Sequence, residues 1–300
     1  MDVLFQANML NVCWFTTLRE LNFFTSICVH NPLPKYDFKH QSMLLSLTLF
    51  SKDGHPLIHD LDLGELTPGD RRVLHIDDIL LINNIKNDVV GVLHKTPSEY
   101  RELCNISIPL QQIQQWTSVT DDFVGYTHAD SLVKSGVQYQ SRPMNDNRLP
   151  SSASTLMHSS KIRVDKDSDT LLLLLTPSSS SSILEDIDFN LKLIDTKNVT
   201  NYHISLCLKG RGRELFSLKQ FLKSKGRDCD IHPLEEGLII GVSTSGSVAP
   251  FTLLLTQNGG LAIDHTLPPI YYAPWWEAAS RKRSIEYFSN KFKLSTLESE

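Results

Sequence analysis

The sequence predicts an all-β protein built from two tandem sandwich units and a short C-terminal helical tail. Apolar residues alternate with polar ones over short stretches, as expected of strands with one buried face. Leu45, Leu47 and Leu49 show this alternation, and Asp53-Gly54 follows them as a tight turn. Strand-length stretches separated by turn signals throughout the chain are typical of sandwiches and barrels.

The order of strands and turns recurs in the second half of the chain, which is why two units are predicted. Self-similarity at a nearly constant spacing is the mark of a repeated structural unit. The matched segments are 23–31 with 170–176, 46–50 with 190–194, 58–63 with 203–208, 74–80 with 216–222, 90–92 with 240–242, and 125–128 with 262–265. In this interpretation residues 73–80 form a strand.

The predicted organisation has five parts: an N-terminal extension, a first unit, a connector, a second unit, and an aromatic clasp with a C-terminal helix. Their bounds are 1–19, 20–130, 131–167, 168–267 and 268–300. Each unit resembles generic immunoglobulin-like modules in its strand, turn and Pro-Gly pattern, for which Thr67-Pro68-Gly69-Asp70 is an example. The resemblance implies the fold alone.

Composition excludes several classes of protein. The net charge is −5, so the basic surplus of a nucleic-acid-binding protein is lacking. No stretch has the 18 or so apolar residues of a membrane span, so no membrane partner is expected. The five cysteines are odd in number and lack close spacing, which predicts free thiols and a cytoplasmic location. Cys28 and Cys207 are expected in the core, because each lies in an apolar run.

The densest apolar run is Leu171–Leu175, five consecutive leucines. A run without alternation is typical of a strand that is buried on both faces. We therefore predict that both faces of this strand are buried in the second unit.

The chain lacks the common catalytic motifs. It contains neither a GxSxG elbow nor a glycine-rich phosphate loop. Gly210-Arg211-Gly212-Arg213 is expected to be a polar turn, whose Arg211 and Arg213 could grip a carboxylate or phosphate. The sequence therefore favours a binding or assembly protein, without catalytic residues or a cofactor and with a protein or a carbohydrate as its ligand.

Two further groups are candidate binding residues. His128 and His265 end matched segments, so they could share a site in a groove between the units. Tyr271, Tyr272, Trp275 and Trp276 crowd together near prolines. They could clasp the body of the protein or a second copy, giving a homodimer, or form a platform for sugar or peptide.

The alternative function is enzymatic. His128-Ala129-Asp130 has the His-x-Asp spacing that places both side chains on one face of a strand. With His203 as the distal ligand, the pattern resembles the Fe²⁺ site of 2-oxoglutarate-dependent dioxygenases. That resemblance implies a non-haem iron oxygenase, with Arg211 or Arg213 anchoring an acidic cosubstrate.

Overall fold

The computed structural model describes residues 2–4, 12–31, 42–97, 107–109, 122–139, 155–176, 186–243 and 248–265, with residues 283, 286, 287, 290 and 291. The chain divides into two compact units, residues 1–145 and 146–300. The described residues are mostly in antiparallel strands, which confirms the all-β prediction. Within these ranges no helix is long and apolar enough to cross a membrane.

The first unit contains two four-stranded antiparallel sheets. Sheet 1A has the order β2-β7-β4-β5 and sheet 1B the order β10-β9-β3-β6, and a short sheet pairs β1 with β8. The elements are β1 (Asp2–Leu4), β2 (Val12–Thr16), a 3₁₀ turn (Arg19–Leu21), β3 (Phe23–His30), β4 (Met43–Ser51), β5 (Pro56–Leu66), β6 (Arg71–His75), α1 (Ile76–Ile82), β7 (Val89–Pro97), β8 (Ser107–Pro109), β9 (Asp122–His128) and β10 (Lys134–Tyr139).

The second unit also contains two four-stranded sheets. Sheet 2A has the order β11-β16-β13-β14 and sheet 2B the order β15-β12-β17-β18. The elements are β11 (Thr155–Val164), β12 (Ser168–Leu175), β13 (Asp186–Asp195), β14 (Thr200–Lys209), β15 (Arg213–Ser217), α2 (Leu218–Ser224), β16 (Leu234–Ser243), β17 (Ala249–Thr256) and β18 (Leu261–His265).

The strand order of the two units is the same. If the strands of each unit are numbered from β2 and from β11, without β8, both units have sheets of order 1-6-3-4 and 5-2-7-8, with a helix after strand 5. The first strand of each unit lies before the range expected from the sequence, at Val12–Thr16 and Thr155–Val164. β10 lies within the expected connector.

The two helices correct the prediction of a strand over residues 73–80. The strand ends at His75, and Ile76 and Leu80 are buried at helical spacing in α1. In α2, Leu218 and Leu222 repeat this spacing. Each helix is only seven residues long and follows directly on a strand, so its period is easily taken for strand alternation.

An aspartate fixes each helix to the second strand of its unit. The Asp77 carboxylate in α1 accepts a hydrogen bond from the Thr25 backbone N–H at 2.6 Å. In the second unit the Asp169 carboxylate on β12 accepts one from the Lys219 backbone N–H at 2.9 Å. Burial raises the pKa of both carboxyl groups, against the lowering effect of these hydrogen bonds.

Glycine permits close packing at one matched position in each core. A Cβ on Gly91 would lie 2.1 Å from Cζ of Phe15, and one on Gly241 would lie 2.5 Å from Cδ2 of Leu191. Both glycines lie on strand 6 of their unit. The space beside Gly91 is filled by a side chain from strand 1, and the space beside Gly241 by a side chain from strand 3.

The leucine run is buried as predicted. Leu171–Leu175 are each at most 5% exposed, and β12 lies between β15 and β17 in sheet 2B. Leu172 and Leu174 join the core between the sheets, so Leu171, Leu173 and Leu175 point to the other face, which is also buried.

Four of the five cysteines are described, and all four are unbridged as predicted. Cys104 lies outside the described residues. The prediction that Cys28 and Cys207 lie in the core is wrong, because Cys28 is half-buried and Cys207 is exposed. Strand alternation buries their neighbours Ile27 and Leu208 instead.

Candidate binding surface

Sheet 1B has an outer face that combines aromatic, aliphatic and small side chains. Along β3 the buried residues are Phe23, Thr25, Ile27 and Val29. Strand alternation therefore turns the side chains between them to the outer face. Because one phenylalanine follows another at the start of β3, Phe24 points outward and is 54% exposed.

Cross-strand pairing places further apolar groups beside this strand. Cys28 lies directly opposite Val73 on β6 and Phe123 on β9. Val73 is 53% exposed and Phe123 is 44% exposed. We call the outward side chains Phe24, Ser26, Cys28, Val73 and Phe123, with Gly125 between them, the Phe24–Phe123 surface.

The Phe123 ring lies across the neighbouring strand. A Cβ on Gly136 of β10 would lie 2.1 Å from Cζ of Phe123, so the ring occupies the space that a side chain there would fill. Part of the ring therefore covers the backbone of β10. The remaining exposed area is available for contact with another molecule.

The outward strand positions of this face carry charge of one sign. The rim carries Arg71 on β6 and Lys134 on β10, and His75 lies between Arg71 and the helix. No carboxylate occurs among the outward positions of the four strands whose side chains are described. Such a surface is complementary to an acidic rim on a partner.

The outer face of sheet 2A provides a contrast within the same chain. Its exposed positions include Asp188, Asn190, Ser205 and Lys209, which are polar or charged. The same face also carries Ile194, Leu238 and Ile240, but these side chains are half-buried. The described strand positions of sheet 2A thus have no exposed large apolar side chain like Phe24 or Phe123 of sheet 1B.

His128 and Asp130 lie at the end of the surface, in the turn between β9 and β10. The His128 ring packs edge-on against Phe23 at 5.0 Å between centroids, and its Nδ1 lies 3.2 Å from the Ser131 backbone N–H, which donates to it. The Asp130 carboxylate accepts a hydrogen bond from the Asn22 amide at 2.7 Å. Both side chains thus support the turn.

The geometry assumed for an iron site is wrong in one respect. β9 ends at His128, and Ala129 and Asp130 lie in the turn, where Leu132 N–H bonds back to His128 O. His128 and Asp130 therefore do not follow each other on one strand face. His203 lies on β14 of the second unit. Within the described ranges no three His, Cys, Asp or Glu side chains are grouped to hold a metal.

The matched histidines occupy different positions in the strand order. His128 ends β9, the seventh strand of its unit, whereas His265 ends β18, the eighth strand of the other. The match of 125–128 with 262–265 is therefore wrong, because similar short strands follow each other here. His265 pairs with Phe251, and its side chain lies outside the described residues.

The two arginines do not form an open anion-binding fork. Arg211 occupies a tight turn at φ 59°, and Arg213 is only 8% exposed on β15. Backbone hydrogen bonds between this turn and Thr176 hold it against β12.

Tyr271, Tyr272, Trp275 and Trp276 lie outside the described residues. Later in the sequence, residues 283, 286, 287, 290 and 291 are helical.

Comparisons with known proteins do not assign this chain to a family. No family model matches the chain, and no curated protein matches it. Among solved structures, one described as a beta-glucuronidase from glycoside hydrolase family 2 matches at 8% identity and a TM-score of 0.17. The match covers 89% of this chain and 25% of that one. A likeness this weak carries no argument about fold or function.

The sequence pattern did not predict the three most exposed residues of the Phe24–Phe123 surface, Phe24, Val73 and Phe123. A weak signal existed in the Phe23-Phe24 pair, since adjacent residues of a strand point to opposite faces and only one can enter a one-sided core. Val73 and Phe123 lie on other strands. Their approach to Cys28 depends on strand pairing, which the sequence does not specify.

Proposed function

We propose that this chain is a non-catalytic binding or assembly protein whose Phe24–Phe123 surface docks a partner protein. The observation that carries the proposal is the exposure of Phe24, Val73 and Phe123, between 44% and 54% each, on one sheet face. Large apolar side chains grouped on an open face of a soluble domain usually mark an interface.

A protein fits this surface better than a carbohydrate does. Val73 and Cys28 lie in one row with Phe123, and aliphatic or thiol groups offer no flat face for a sugar ring to stack on. Aromatic and aliphatic groups surrounded by polar ones are the usual composition of a protein interface. Arg71 and Lys134 at the rim favour a partner that is apolar at its centre and acidic around it.

The energy available is appropriate for association. Complete burial of one phenylalanine or valine side chain contributes about 1.5–3 kcal/mol. Three half-exposed residues therefore supply a few kcal/mol, to which the charged rim adds. A partner with a matching apolar centre would bury these side chains, and the free energy of that burial would stabilise the complex.

We also propose that the two units arose by duplication and that the protein resides in a reducing compartment. The identical strand order of the units supports duplication of one sandwich, with immunoglobulin-like kinship as the proposed relation. The four unbridged cysteines support a reducing compartment such as the cytoplasm.

The proposal is tested by gel filtration of extract from cells that naturally produce the protein. We expect the wild-type chain to elute at a larger mass in extract than after purification. The double variant Phe24→Ser/Phe123→Ser should elute at its purified mass in both samples. A matched control, Val199→Ser/Ile231→Ser, removes apolar side chains that are 83% and 68% exposed elsewhere, and should behave as wild type.

Two results would count against the proposal. One is a wild-type chain that elutes identically in extract and after purification. The other is a complex that the Phe24→Ser/Phe123→Ser variant retains in full. Circular dichroism of each purified variant establishes that its strands are intact before the comparison is made.

A further inference from the structure

The Phe24–Phe123 surface has a depression at its centre. Ser26 on β3 lies directly opposite Gly125 on β9, and both residues are partly exposed. The next outward row on one side of this pair carries Phe24, and the next row on the other side carries Phe123. Neighbouring outward rows lie about 7 Å apart along the strands, so the depression has room for one large side chain. We call it the Ser26–Gly125 hollow.

The backbone does not require a glycine at position 125. Gly125 pairs in unbroken register with Ser26 and with Gly136, so it has the extended conformation that any residue adopts in a strand. The nearest atoms to a Cβ on Gly125 would be Ser26 Oγ at 3.1 Å and Phe123 Cε1 at 3.8 Å. These two side chains border the hollow, whereas the space above Gly136 is filled by the Phe123 ring itself.

The second unit has leucines at the corresponding positions. The residue before the helix of each unit pairs with Ser26 in sheet 1B and with Leu171 in sheet 2B, so these two residues correspond. Their partners on the next strand, Gly125 and Leu253, correspond as well. Leu171 is 5% exposed and Leu253 is 0% exposed. The hollow therefore occupies the place that two buried leucine side chains fill in the second unit.

We propose that the partner of the Phe24–Phe123 surface inserts one large apolar side chain, such as leucine, methionine or phenylalanine, into the Ser26–Gly125 hollow, with carboxylates on both sides of it. This inference rests on the proposed function, because it specifies the chemistry of the partner at the same site. The leucines of the second unit support an apolar occupant, since they fill the corresponding space.

The charged rim supports the flanking carboxylates. Lys134 lies in the row of Phe24, on one side of the hollow. Arg71 lies beyond Val73, on the other side. An apolar side chain between two acidic groups therefore complements the hollow and its rim together.

Substitutions that fill the hollow separate insertion from a flat apolar contact. Ser26→Leu adds apolar area, so it should strengthen a flat contact but block insertion. Thr127→Leu is the matched control, because it adds the same side chain in the row of Phe24, outside the hollow. Ser26→Ala/Gly125→Val fills the hollow from β9 instead of β3, so a local effect of Ser26→Leu on β3 does not decide the result.

The test adds each purified variant to extract from cells that naturally produce the protein and measures, by gel filtration, how much of it enters the larger complex. We expect Ser26→Leu and Ser26→Ala/Gly125→Val to lower that amount by about tenfold or more, since a filled site has no room for the inserted side chain. Thr127→Leu should bind as wild type. Circular dichroism of each purified variant establishes that its strands are intact.

The outcomes distinguish insertion from docking. If both hollow-filling variants enter the complex as wild type does, insertion is overturned and docking on this surface stands. If the wild-type chain forms no complex, docking and insertion are both overturned. Loss of the complex in both hollow-filling variants, with Thr127→Leu unaffected, is the result that insertion predicts.

Discussion

Leu173→Asp is expected to abolish folding of the second unit. Leu173 is 2% exposed and lies directly between Leu215 and Phe251 on the neighbouring strands. A carboxylate at this position has no described basic group opposite it, and an unpaired buried charge costs several kcal/mol. That cost is comparable with the whole stability of a domain, which is about 5–15 kcal/mol.

The measurement is the yield of soluble protein and its thermal unfolding by circular dichroism. Val199→Asp introduces the same charge at a turn residue that is 83% exposed at φ 54°, and it should melt as wild type or slightly higher. Near-wild-type melting of Leu173→Asp would show that this side of β12 is accessible to water.

The second large effect is expected for Arg227→Ala. The Arg227 guanidinium donates to the Asp195 carboxylate at 2.6 Å, and also to the carbonyls of His232 and Pro233. The Asp195 side chain is 1% exposed. Loss of the arginine leaves a buried carboxylate without its cation, which costs about 3–5 kcal/mol. Denaturant unfolding should show this decrease at neutral pH.

The effect should depend on pH. Burial tends to raise the pKa of Asp195, but hydrogen bonds from Asn198 and Arg227 outweigh it and hold that pKa below its ordinary value of 3.8. The stabilisation is therefore complete above about pH 4 and is lost as the pH falls through the lower, folded-state value. The difference between wild type and Arg227→Ala should shrink over the same interval.

The matched control is Lys197→Ala, which breaks the exposed pair with Glu235. Because both partners are more than half exposed, water screens the pair, and the expected loss is much smaller than for Arg227→Ala. Equal losses for Lys197→Ala and Arg227→Ala would show that burial of Asp195 has no energetic consequence.

The fold was more accessible to sequence reasoning than the surface was. Alternation at Leu45, Leu47 and Leu49 and the continuous run at Leu171–Leu175 depend on local burial, and both predictions agree with the structure. The helices α1 and α2 were missed because seven residues contain only two turns. Their buried pairs at i and i+4 were nevertheless present in the sequence.

The expected placement of His128 and Asp130 on one strand face failed for a different reason. His128 and Asp130 were joined by spacing along the chain, but the strand ended between them. Val73 and Phe123 are far apart in sequence, and the pairing of β3 with β6 and β9 places both opposite Cys28, on the face that Phe24 shares. Such pairing is set by long-range contacts, so a single sequence does not reveal it.

The binding account is tested most directly by photo-crosslinking in cells that naturally produce the protein. A photoreactive phenylalanine analogue replaces Phe24 or Phe123 on the surface, and Val199 or Ile231 as exposed controls. The account predicts one protein adduct of the same mass from both surface positions, absent from the controls and weakened by Arg71→Glu/Lys134→Glu. Adducts that are equal at all four positions, or that persist after charge reversal, would contradict it.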